Sequence, residues 1–292
     1  MGLWENIADA IAKASGKRFS VEQQQSVGGG CINSAWRIGD ERRSYFVKLN
    51  NADKLEMFEA EADGLRELAA TGAIKVPEPL CTGVAGGQAY IVMEDIDLGG
   101  SGSSACFGWG MAAMHKVTGS RFGWHRDNTI GSTPQPNGWM DDWQQFWAKR
   151  RLGFQLELAG RNGAGRGLVK NGETLLENFS GLFDGYRPQP SVLHGDLWSG
   201  NYAFSRKGEP VIFDPAVYFG DREADIAMTE LFGGFGGDFY AAYNEAWPLD
   251  PGYKVRRDFY NLYHILNHYN LFGGGYAGQA DRIIGRLLAE LG

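Results

Sequence analysis

The sequence predicts an α+β protein in two lobes, an N-terminal antiparallel sheet lobe followed by a mostly helical C-terminal lobe. Three observations predict it. From Val21 to Glu94 the apolar residues come in short, partly alternating runs bounded by Gly- and Pro-containing turns, as strands do. Beyond Ala105 they recur at helical spacing in longer segments. Between the two regimes lies LGGSGSS, residues 98–104, whose composition suits a linker, so the lobes are expected at residues 1–97 and 98–292.

At 292 residues, with 43% hydrophobic and 22% charged side chains, the chain can build a sizeable core. A net charge of −7 with no basic block argues against nucleic-acid binding and favours small cationic ligands. Cys31, Cys81 and Cys106 are too few and too scattered for a disulfide framework or a zinc site, which points to thiols in a reducing compartment. The first residues, MGLWENIADAIAKASG, form an amphipathic helical pattern with Trp4, Ile7 and Ile11 on one face, without the apolar core of a secretion signal. Asn6 breaks the myristoylation pattern, and no run approaches the ~20 apolar residues of a membrane span. The expectation is a cytoplasmic protein with neither nucleic-acid nor membrane partners, its oligomeric state left open.

The elements follow in order. After the first helix, strands are expected around residues 21–27, 35–38 and 45–49. Gly28, Gly29 and Gly30 form a hairpin tip whose free backbone N–H groups can approach a phosphate closely, with Cys31 beside them. It is not a Walker A loop, since no Gly-Lys-Ser/Thr follows, nor a dinucleotide fingerprint, since a strand rather than a helix comes next. Lys48, in the strand Phe46-Val47-Lys48-Leu49, resembles the strand lysine that grips the α- and β-phosphates behind such a loop. A helix over 53–70 carries Glu61, placed to orient Lys48 by ion pairing, with Glu59 as its competitor. Two more strands, 80–84 and 88–94, end on Met93, Glu94 and Asp95, where backbone groups can pair with adenine.

The second part is expected to hold helices over 105–117, 139–159 and 173–186 and three more after Arg222, with an irregular loop over 119–138 and a surface turn over 153–172. Its chemistry lies in SVLHGDLWSGNYAFSRKGEPVIFDPAVYFGDREADIAMTE, residues 191–230. His194, Asp196 and Asn201 share one tight loop. Tyr202–Phe204 and Val211–Phe213 read as a hairpin whose return places Asp214 near Asn201. Carboxylate and carboxamide oxygens are the ligands Mg²⁺ prefers alongside phosphates. The Asp-x-x-x-x-Asn spacing from Asp196 to Asn201 matches the catalytic loop of kinases, where Asp accepts the hydroxyl proton and Asn holds metal. Asp221 reads as a helix cap. Asp225, one turn further among apolar residues, reads as an acceptor for the backbone of the catalytic loop.

HGDLWSGN and DPAVYFGDREADIAMTELFGGF, together with GGGCIN, FVK, FEAEADGL, TPQPNGWMDDW, RLGFQLELA and LNHYNLFGG, resemble the fructosamine kinase (ketosamine 3-kinase) family of the wider aminoglycoside and choline phosphotransferase group. The resemblance spans nearly the whole chain. It implies a protein-kinase-like fold that binds ATP and Mg²⁺ between two lobes. The implied reaction transfers the γ-phosphoryl group to the 3-hydroxyl of a sugar joined through an amine, free or on protein. Carried over by residue, it makes Asp196 the proton acceptor, Asn201 and Asp214 the metal ligands, and Lys48 with Glu61 the phosphate grip. Met93 to Asp95 become the adenine segment. Trp198 is expected to pack against the sugar-amine, and His194 and Asp225 to support the loop. Oxidation of Cys31 is expected to act as a redox brake on the phosphate cradle.

Two departures from protein kinases matter. Gly195 stands where an arginine would await a phosphorylated activation loop, and Asp-Pro-Ala replaces Asp-Phe-Gly. Together they suggest a metabolite kinase without an activation switch. Competing readings are a kinase for another small amine-bearing metabolite, a nucleotide-binding pseudokinase scaffold and a dinucleotide binder.

Overall fold

A computed structural model describes residues 2–28 and 32–292. The chain divides into two compact units, Met1–Ser103 with Tyr202–Pro215, and Ser104–Asn201 with Ala216–Gly292.

The first unit is a five-stranded antiparallel sheet in the order β1-β2-β3-β5-β4. Its strands are β1 (Gln23–Val27), β2 (Ser34–Gly39), β3 (Ser44–Asn51), β4 (Pro79–Ala85) and β5 (Gln88–Glu94). Alternation along β3 sorts its side chains: Val47 and Leu49 join a buried cluster with Ile38, Tyr90 and Val92, while Lys48 points to the other face. The cluster is completed by Ile7 and Ile11 from the amphipathic helix α1 (Leu3–Ser15), which ends on the left-handed Gly16. A 3₁₀ turn at Ala52–Lys54 leads into α2 (Leu55–Ala70), which buries Phe58, Ala62, Leu65 and Leu68 on one face.

Expectation and structure differ at the first boundary. The hairpin formed later in the chain by β9 (Tyr202–Phe204) and β10 (Pro210–Ile212) belongs to this unit rather than to the helical one. Backbone hydrogen bonding explains it. The Gly99 and Gly100 N–H groups donate to the Phe204 carbonyl, Arg206 N–H donates to Asp97, and Ile212 N–H donates to Lys75. The linker residues thus take part in a small backbone network.

The second unit is mostly helical. It begins with α3 (Ser104–His115), then a short hairpin, β6 (Asn128–Ile130) with β7 (Thr133–Gln135), inside the segment expected to be irregular. Asn128, Gln135 and Asn137 bond to one another and to the Ala216 and Val217 carbonyls, which orders that loop. One nearly continuous helical run follows: α4 (Trp143–Phe146), a π-helical stretch (Trp147–Leu152) and α5 (Gly153–Arg161). The turn expected over 153–172 is instead helix, since α6 spans Arg166–Asn178. Gly172 lies inside α6 because a Cβ there would meet Leu156 Cδ2 at 2.5 Å, so this glycine serves helix packing and not a turn.

A two-stranded pair, β8 (Ser191–Leu193) with β11 (Tyr218–Gly220), brackets the catalytic-loop segment. Four helices close the chain where three were expected: α7 (Arg222–Leu231), α8 (Gly237–Ala246), α9 (Tyr253–Phe272) and α10 (Tyr276–Leu291). Positive-φ Gly233 and Gly234, the Pro248–Pro251 stretch and positive-φ Gly273 and Gly274 make the three breaks between them. No helix among the described residues is long and apolar enough to cross a membrane.

Candidate active site

In the first unit, β3 holds Lys48 in register between Ala35 and Ile91, with only 7% of the residue exposed. Its ammonium lies 2.5 Å from Glu61 Oε1 on α2 and 2.6 Å from Asp214 Oδ1. Burial alone would depress the Lys48 pKa, but the two carboxylates outweigh it and raise it well above the ordinary lysine value. Burial pushes the Glu61 carboxyl up against the pull of Lys48. Glu59, the competing glutamate, does not take this place.

Asp214 follows β10, where Ile212 pairs with Tyr202. It is the single non-glycine residue with positive φ among the described residues, at 57°. Such a conformation costs about 1–2 kcal/mol for an ordinary L-residue and is least foreign to Asn and Asp. Its side chain is 49% exposed although one oxygen is held by Lys48.

In the second unit, the loop after β8 is pinned from below by Asp225. The buried carboxylate accepts the His194 N–H at 2.7 Å and the Gly195 N–H at 2.8 Å, one on each oxygen. It also bonds His115 Nε2 at 3.1 Å, while His115 Nδ1 meets the Tyr243 hydroxyl at 2.8 Å. Burial would raise the Asp225 pKa. The His115 hydrogen bond and charge, with His194 and the Gly195 N–H, instead hold it below the usual aspartate range. Gly195 is required here: its φ is +82°, and a Cβ would come within 2.0 Å of the Ala216 carbonyl oxygen.

That turn presents Asp196, half-buried, with its own N–H donated to His194 Nδ1 at 3.2 Å. The Asn201 amide donates to the Asp196 carbonyl at 2.8 Å and to Asp196 Oδ2 at 3.2 Å, so its Nδ2 fixes the acid and its Oδ1 faces elsewhere. Trp198 is 36% exposed and meets Phe232 edge-on at 6.2 Å.

Met93 is buried at the end of β5. The Glu94 side chain pairs with Lys75 at 2.6 Å, the Glu94 N–H donates to the Glu78 carbonyl, and Asp95 pairs with Arg37 at 2.7 Å. Gly28 is exposed and described; Gly29, Gly30 and Cys31 lie outside the described residues.

The structure thus gathers Lys48, Glu61 and Asp214 into one group, and His194, Asp196, Asn201 and Asp225 into another. Two buried links escaped the sequence, one of them to the site. His115, read as a structural histidine at a helix end, holds Asp225. Asp221, read as a cap, does accept the Glu223 N–H, yet also accepts the hydroxyls of Tyr186 and Tyr260 at 2.8 and 2.5 Å. No local spacing links residues so far apart in the chain.

Among the described residues no cluster of three or more His, Cys, Asp or Glu could hold a metal by itself. Asp214 in the first unit offers a carboxylate oxygen and Asn201 in the second a carboxamide oxygen, each a hard donor of the type Mg²⁺ takes together with substrate phosphates.

Among solved structures, choline kinase from Streptococcus pneumoniae is 14% identical with a TM-score of 0.64 over 98% of each chain, a likeness of fold alone. A crystal structure from Haemophilus somnus is 31% identical, with a TM-score of 0.90 over 98% of each chain. The architecture is therefore protein-kinase-like. A "probable ketoamine kinase" from Synechocystis is 47% identical over 98% of this chain and 97% of its own length. A chloroplastic protein-ribulosamine 3-kinase from Arabidopsis thaliana is 47% identical over 94% of this chain and 86% of its own. With the fructosamine kinase profile matching residues 3–290, the chain belongs to the fructosamine kinase family.

Proposed function

We propose that this protein is an ATP-dependent kinase that phosphorylates the 3-hydroxyl of ketosamines such as fructosamine or ribulosamine, free or borne on protein amines, in the cytoplasm. The observation that carries the reading is the Lys48 ammonium held between Glu61 and the conformationally unusual Asp214. Asp196, fixed on both its carbonyl and its carboxylate by Asn201, is the second support.

Phosphoryl transfer requires little covalent work from the protein, so positioning and charge neutralisation set the rate. Asp196 orients the sugar hydroxyl and accepts its proton as the oxygen attacks the γ-phosphorus. Lys48 and the Gly28–Gly30 loop hold the triphosphate, with Glu61 keeping the lysine extended. Backbone groups of residues 93–95 pair with adenine; because the Glu94 N–H is committed to Glu78, that pairing uses the other groups of the segment. Asp214 and the Asn201 Oδ1 would hold Mg²⁺, which when bound neutralises charge on the transferring phosphates. The Trp198 ring forms a wall against the sugar-amine. Cys31 serves as a redox brake, tested by oxidant and then reductant on wild type and Cys31→Ser: equal sensitivity in both dismisses it.

A panel of ketosamines, aminoglycosides and amino alcohols, read by ADP release, tests the substrate class. Turnover is expected on ketosamines. Turnover confined to aminoglycosides or choline would replace this reading with a different metabolite kinase.

A further inference from the structure

Outside the groups described above, the second unit carries a polar cleft of about 420 Å³ along α7, α9 and α10, a volume suited to a small ligand or a few side chains. Glu230, Arg257, Asp258, Asn261, Arg282 and Arg286 line it. Three guanidiniums face two carboxylates, in a chain whose net charge is −7. Both carboxylates are already engaged: Glu230 by Arg257 at 2.9 Å, and Asp258 by Arg286 at 2.8 Å. Arg282 is exposed and makes no ion pair among the described residues. Asn261 is 6% exposed and its Oδ1 finds no donor among the described residues. A turn about its broad terminal torsion brings either amide atom to the cleft.

The cleft adjoins the proposed acceptor wall. Leu231 lines it, and the next residue, Phe232, packs on Trp198 at 6.2 Å and on His268 at 4.9 Å. His268 in turn meets Tyr276, the first residue of α10, at 5.2 Å. An aromatic row therefore occupies one end of the α9/α10 seam and the arginines the other. Along α9, Asn261 lies about 10 Å and Arg257 about 16 Å from His268, at 1.5 Å of rise per residue. An extended peptide covers those spans in about three to five residues.

We propose that this cleft is an exosite for an acidic peptide segment flanking a glycated lysine, so that the enzyme reads the charge around a protein-borne ketosamine. Arg282 is free to take an anion, and the buried Asn261 Oδ1 lacks a donor among the described residues. A peptide offers both, as side-chain carboxylate and backbone N–H, and can set them the several ångströms apart that the two groups require, which a single compact phosphate cannot. The inference rests on the ketosamine reading for the position of the sugar-amine at Trp198.

Fluorescence anisotropy tests it with labelled peptides carrying one central fructosyl-lysine flanked by glutamates or by lysines, on wild type, Arg282→Glu and Arg282→Lys. Wild type should bind the acidic peptide about tenfold tighter, Arg282→Glu should abolish that preference and Arg282→Lys should keep most of it, with the preference shrinking as salt rises. Turnover of Nα-acetyl-fructosyl-lysine amide, which has no flanking residues, should be unchanged in both variants. Equal affinity for the two peptides in wild type overturns the exosite. So does inorganic phosphate displacing acidic and basic peptides alike, or an equal loss for the small unflanked substrate in Arg282→Glu. Failure of wild type to phosphorylate the unflanked ketosamine sinks the functional reading instead, while the anisotropy arms still decide the exosite.

Discussion

Asp196 and Asp214 carry different burdens, and substitution should separate them. Asp196→Ala removes the proton acceptor and is expected to cut kcat by about 10²–10⁴-fold while leaving ATP affinity near that of wild type. Asp214→Ala should weaken Mg-ATP binding itself, read by calorimetry with and without Mg²⁺. An Asp196→Ala enzyme with near-normal turnover would remove the base assignment. Asp225 acts one step behind these residues. Its carboxylate holds two backbone N–H groups in a buried setting, so Asp225→Asn should cost about 3 kcal/mol in urea unfolding, as loss of a buried charged partner does. The sign of its pH dependence follows from its depressed pKa. The stabilisation is fully present above the unfolded aspartate value of 3.8 and is lost as pH falls through the lower folded value. The gap between wild type and Asp225→Asn should therefore stay level from neutral pH to about pH 5 and narrow only below 3.8. A gap that closes already at pH 6 would show that another group sets it.

At the scale of elements, the catalytic loop is held by backbone geometry as much as by side chains. Gly195→Ala forces a Cβ to within 2.0 Å of the Ala216 carbonyl at a φ of +82°. It should lose about 2 kcal/mol or more of stability, with a fall in kcat that raising ATP does not restore. Full activity in Gly195→Ala would mean that the loop tolerates another path. The elements legible in the sequence were those whose signal is local. The α1 stripe, the alternation around Lys48, the α2 face and the Tyr202–Ile212 hairpin all came from spacing alone. So did the crowding of His194, Asp196 and Asn201, which lie within eight residues of one another. The elements that were misread depend on distant partners. Gly172 looks like a turn residue until Leu156 lies against it, and residues 128–135 look irregular until their amides find the Ala216 and Val217 carbonyls. His115 gave no sign of its bond to Asp225, 110 positions away.

Over the whole molecule, the helical unit is knit by ionic groups that need no modification to form. Arg256 binds Glu223 through Nε and Nη2 at 2.7 and 3.1 Å and Asp250 through Nη2 at 2.7 Å, and Gly195 stands where an arginine would await a phosphate. The enzyme should therefore turn over without lag when made in cells lacking protein kinases, and phosphatase treatment should leave its progress curve unchanged; a phosphatase-sensitive rate would argue for a switch. The proposed reaction makes one bond, between the γ-phosphorus of ATP and the 3-hydroxyl oxygen of a ketosamine, as the bond from that phosphorus to ADP breaks. Its most direct test is phosphorus and proton NMR of the product from wild-type enzyme, Mg-ATP and synthetic fructosamine or ribulosamine. A single phosphate coupled to the proton on carbon 3 is expected, with Asp196→Ala forming that product about 10²–10⁴-fold more slowly. Phosphate on another carbon, or ATP left intact, would contradict it.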